Sequence, residues 1–120
     1  MSKVNGVIQE INEISNFVRE VKIIDSVPEM EIQLSLAIGY SQRIGELVNE
    51  AERGYSLKKA DSLIQLQISE EETETTRKVK LDAWTADEKK LWRDLLNIQT
   101  HLRQRIMSLF QGIKTRREER

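Results

Sequence analysis

Apolar residues recur in steps of three and four over most of this chain, the spacing of one helix face. Val4, Val7, Ile11, Ile14, Val18 and Val21 form an unbroken heptad seam at the start. Every seam residue is β-branched, a composition that lowers intrinsic helix propensity and favours packing against a partner. Two packings are open: an intermolecular coiled coil, with β-branched cores favouring trimers or larger assemblies, or a seam closed within one protomer.

Ser26-Val27-Pro28-Glu29 reads as a helix start, with Ser26 and Glu29 as a capping box and Pro28 tolerated in the first turn. The helix predicted from there reaches about Arg53. Leu34, Ala37, Ser41, Ile44, Val48 and Ala51 lie along one face, which Ile32, Leu36, Tyr40 and Leu47 widen. Gly39 and Gly45 would admit another helix closely. Strict alternation at Met30, Ile32, Leu34, Leu36, Ile38 and Tyr40 is the opposing signal, since it is a strand pattern. No glycine-containing hairpin turn accompanies it, and its flanks are helix formers.

Gly54 suits a helix C′ position and Ser56 the next N-cap. A short helix over about 57–68 would bury Leu57, Ala60, Leu63, Ile64 and Ile68. Ser69-Glu70-Glu71-Glu72 is a second capping box, followed by an exposed Thr-rich stretch up to Arg77. Thr85-Ala86-Asp87-Glu88 is a third and opens the last long helix. Its face is Leu91, Leu95, Ile98, Leu102, Ile106, Leu109 and Ile113, broadened by Trp92, Leu96 and Phe110. The expected fold is therefore all-α: a small bundle of about four to five helices with a coiled-coil-like N-terminal helix. Residues 1–25 form the heptad helix, 26–114 a helical core domain and 115–120 a charged, fraying tail.

Composition narrows the function classes. The chain has 120 residues and no cysteine, so a disulfide framework and a thiolate zinc site are excluded. The lack of cysteine fits a cytoplasmic setting. No apolar run approaches membrane-spanning length, and the N-terminus lacks the apolar core of a signal peptide. His101 is the single histidine, and no Gly-rich phosphate loop is present. Glu70, Glu71, Glu72 and Glu74 match no calcium-loop spacing. These readings predict a non-enzymatic protein with no metal and no cofactor.

Charge changes the picture further. The net charge is −1, but residues 1–76 hold 7 Lys/Arg against 14 Asp/Glu, while 77–120 hold 12 against 6. Such a division suits a basic surface for nucleic acid, head-to-tail contact between protomers, or simply solvated helix faces. The basic residues cluster around aromatics: Arg77, Lys78 and Lys80 precede Trp84, and Lys89, Lys90 and Arg93 follow it. A single strand of nucleic acid needs cations to replace its counterions and ring faces for stacking. Trp84 at a helix junction can serve as platform or core; Trp92, beside Leu91 and Leu95, reads as core.

Lys78-Val79-Lys80-Leu81-Asp82-Ala83-Trp84 resembles the Lys-x-Arg-Leu-Asp-Tyr-Tyr motif of the UvsY recombination mediators of tailed phages. The resemblance extends loosely along Tyr40–Ala60 and Ile106–Lys114. It implies a small helical protein that assembles into rings, binds single-stranded DNA and helps load a recombinase against single-strand-binding protein. Lys78 and Lys80 match the DNA-contacting basic pair, Leu81 and Asp82 match directly, and Trp84 matches the second aromatic. Ala83 stands in place of the first aromatic. Lys80 replaces an arginine, which loses the planar bidentate fork, and the glycine-rich loop after the motif is absent. The expected partners are single-stranded DNA, a recombinase or single-strand-binding protein, and further copies of the chain through the Val4–Val21 seam. A small helical adaptor or inhibitor without DNA binding is the alternative.

Overall fold

A computed structural model describes residues 2–20, 26–68 and 73–118, with side chains over 6–20, 26–67 and 73–118. The fold is all-α, with four helices among the described residues: α1 (Ser2–Arg19), α2 (Val27–Ile68), α3 (Glu74–Trp84) and α4 (Ala86–Glu118). None is long and apolar enough to cross a membrane. The chain divides into two compact units, one of Met1–Gly45 with Asn97–Arg120 and one of Glu46–Leu96. Their limits fall inside α2 and α4. The tail expected to fray is helical through Glu118.

Ser26 starts α2 as its sequence predicts. Its hydroxyl accepts from the Glu29 N–H at 3.3 Å, and its carbonyl accepts from the Met30 N–H at 3.0 Å. In the first unit Met30, Ala37, Leu109 and Ile113 form a buried cluster, with Phe17, Val27, Leu34 and Ile106 packed against it. The spacings Met30-Leu34-Ala37 and Ile106-Leu109-Ile113 are those of a helix–helix seam. Phe17 meets Tyr40 at a centroid distance of 5.0 Å, and the Arg105 guanidinium lies 5.4 Å from the Phe17 ring centre. The strand-like alternation therefore belongs to a helix. Successive alternating residues turn in and out of it, so Ile32, Leu36 and Ile38 are left exposed. Gly45 lies against Gln99, but Gly39 has no atom outside its own helix near enough for contact.

The expected break at Gly54 and restart at Ser56 do not occur, because α2 runs unbroken through both. That continuity overturns the predicted burial over 57–68. An unbroken helix carries its phase forward from Val48, and Leu66 lies about five turns on, on the same face. Both are buried, and Ser62 with them. Leu57 is about two and a half turns from each and points the opposite way. Leu57 and Ile64 are 65% and 59% exposed, and Ala60 and Leu63 are exposed too. Ile68 lies outside the described side chains.

The predicted capping box at Ser69–Glu72 lies outside the described residues. α3 is capped by Thr73, whose hydroxyl accepts from the Thr76 N–H at 3.3 Å. At the next junction Thr85 is buried, but it does not form the expected box with Glu88. Its hydroxyl donates back to the Leu81 carbonyl at 2.8 Å, and its N–H donates to the same oxygen at 3.1 Å. Thr85 thus closes α3 with its side chain, while its carbonyl accepts the first α4 bond, from Lys89 N–H at 3.0 Å. Of the predicted α4 face, Leu95, Leu102, Leu109 and Ile113 are buried, whereas Leu91 and Phe110 are exposed.

Candidate nucleic-acid interface

The predicted basic segment lies wholly in the second unit, on α3 and the start of α4. α3 buries no residue. Its more covered side is Arg77, Lys80 and Leu81, all half-buried, and Trp84 follows on the same face, 41% exposed. Lys78 is exposed with Val79, Asp82 and Ala83. The motif's two lysines therefore differ: Lys78 is open to solvent and Lys80 is partly covered. Asp82 sits one turn beyond Lys78, where helix neighbours partly offset each other's charge.

On α4, Arg93 follows Lys89 by four positions and Lys90 by three, so the three share one exposed helix face. The inner side of the same turns is Trp92, Leu95 and Leu96. Trp92 is half-buried and stacks on Tyr55, with centroids 5.7 Å apart and planes 21° from parallel. Its ring is already engaged, which leaves Trp84 as the open indole. Lys59 reaches over the other ring of that stack, 6.0 Å from the Tyr55 centre. Sequence reading did not single out Lys59, which is more than thirty positions from Trp92; the Lys58-Lys59 pair was its only trace.

The N-terminal seam was the second predicted site. Ile14 is buried within the first unit, and Val7, Ile11 and Val18 are half-buried there. The side chains of Val4 and Val21 are outside those described. His101 is exposed, and its Nδ1 lies 2.8 Å from the Asn97 carbonyl one turn back, a helix-surface role. No protein-family model, curated protein or solved structure matches the chain.

Proposed function

We propose that the chain is a non-enzymatic single-stranded-DNA-binding protein that acts as a recombination mediator, assisting a recombinase against single-strand-binding protein in the cytoplasm. The observation that carries the reading is the exposed indole of Trp84 at the α3–α4 junction, in the unit that also presents Lys78, Lys89, Lys90 and Arg93 to solvent. Stacking platforms with neighbouring cations suit a flexible strand, whose bases are free to leave the stack; a duplex offers no such faces. The Lys78–Trp84 resemblance supplies the mediator role.

The test is titration of the full chain with a fluorescent thymidine oligonucleotide and its duplex form. Single strand should bind more tightly than duplex. Trp84→Ala should weaken single-strand binding by about 1–3 kcal/mol, and Trp84→Phe should recover much of it. Unchanged affinity in Trp84→Ala would remove the platform from the account.

A second reading, a protein-interaction adaptor that binds no DNA, is favoured by the exposed apolar row Leu57 and Ile64 on α2. A chain without affinity for either oligonucleotide, recovered with one protein partner, would select it.

A further inference from the structure

The first half of α2 carries two heptad rows, and one of them is uncovered. Met30, Leu34 and Ala37 form the covered row, in and against the core of the first unit. Glu29, Ile32, Leu36, Gly39 and Arg43 form the other, following one another by three, four, three and four positions. Ile32 is 61% and Leu36 44% exposed, and Gly39 is exposed after them. The row runs for about 21 Å, or about four turns of helix. A cleft of about 360 Å³ opens beside it, lined by Leu36, Gly39 and Tyr40 on α2 and by Glu13 and Ile14 on α1. A Cβ at Gly39 would meet no atom within 4 Å outside its own helix, so a side chain from another molecule has room to enter there.

The charges along this surface do not cancel. Arg43, the cation of the row, is paired with Glu10. Glu13, at the rim of the cleft, and Glu29, at the start of the row, meet no cation among the described residues. Two uncompensated carboxylates therefore border the exposed apolar side chains.

We infer that this row is the docking site of a basic amphipathic helix from another protein. The backbone of α2 is bonded within its own helix along the row, so it offers no edge to an extended peptide. A helix can lay its apolar face along such a groove. Free carboxylates at Glu13 and Glu29 attract cations and repel phosphate, which disfavours nucleic acid and anionic lipid here. A small molecule filling the cleft would leave Ile32 bare, since Ile32 lies outside its lining. The partner's apolar residues, in steps of three and four, meet Gly39, Leu36 and Ile32, and the largest fills the space at Gly39. Lysine or arginine beyond the two ends of that apolar run reaches Glu13 and Glu29. The patch is small, so binding is of the weak, reversible class. This surface lies in the first unit and the nucleic-acid reading rests on the second, so either can fail alone.

Fluorescence anisotropy of a synthetic probe with the full chain tests it. The probe is an alanine-rich helical peptide of about eighteen residues. It carries phenylalanine, leucine and leucine in steps of three and four, with a lysine one turn beyond each end of that run. The chain should bind it saturably. A peptide with serine at the three apolar positions keeps the charge and should not bind. A peptide with glutamate for lysine should bind on the order of tenfold more weakly. Gly39→Lys puts a cation into open space at an exposed helix position and should fold, by circular dichroism, yet lose binding on the order of tenfold or more. Glu13→Lys with Glu29→Lys should reverse the preference between the lysine and glutamate peptides. No saturable binding of the lysine peptide overturns the inference. So does equal binding of the serine peptide, or a folded Gly39→Lys chain that binds like wild type. A wild-type dimer in sedimentation that Gly39→Lys dissociates also overturns it, because a second copy then occupies the row.

Discussion

Replacing Gly54 by alanine decides whether α2 is one helix or two, because the two arrangements give opposite signs. In the continuous helix Gly54 is exposed, with ordinary helical backbone and open space where its Cβ would stand. Alanine then adds no contact and causes no clash. Its effect is the glycine–alanine propensity difference in an exposed helix interior, a stabilisation of about 1 kcal/mol. Were Gly54 a C′ residue ending a helix, its backbone would be left-handed, where alanine costs about 1–2 kcal/mol. The outcomes differ by roughly 2–3 kcal/mol, well above the error of comparing midpoints at a shared slope. Urea unfolding followed by far-ultraviolet circular dichroism is the assay. The expected result is a higher midpoint, an unchanged slope and a melting temperature raised by about 4 °C. A lower midpoint would refute the continuous helix, and with it the phase argument that exposes Leu57 and Ile64.

Other outcomes follow from burial and exposure. Leu102→Ala, at a fully buried α4 position, should cost about 2–5 kcal/mol in the same unfolding assay, whereas Leu57→Ala should change stability by no more than about 0.5 kcal/mol. Lys78→Ala should weaken oligonucleotide binding more than Lys80→Ala, since Lys78 is exposed and Lys80 half-covered; equal losses in an anisotropy titration would contradict that ordering. Glu10→Gln removes one partner of the part-exposed Glu10–Arg43 pair and should lower stability by less than about 1 kcal/mol, a difference that added salt should shrink.

The helices were legible because apolar spacing and the Ser26 cap acted locally, and both recur in the structure. Three features were not legible, each for a physical reason. Gly54 carries a turn preference, but a weak local penalty yields to a helix packed on both sides of it. Once the break disappears, the face over 57–68 inherits its phase from Val48, a dependence no window around Leu57 reveals. Thr85 and Glu88 have the residue types of a capping box, yet the hydroxyl finds the Leu81 carbonyl behind it instead. At the candidate site, Lys78, Lys89, Lys90, Arg93 and Trp84 were recoverable from clustering in sequence. The unequal exposure of Lys78 and Lys80 depends on which side of α3 faces its unit. The stack of Tyr55, Trp92 and Lys59 joins positions far apart in the chain and left little local trace.

The most direct test of the central claim is the salt dependence of single-stranded DNA binding by the full chain and by the Lys89→Ala, Lys90→Ala, Arg93→Ala variant. These three cations share one exposed face of α4, and none contributes to the core. If each displaces counterions from a phosphate, the logarithm of affinity should fall with that of salt, and the variant's slope should be shallower by about 2. Parallel slopes with equal affinities, or no binding by the wild-type chain at low salt, would contradict it.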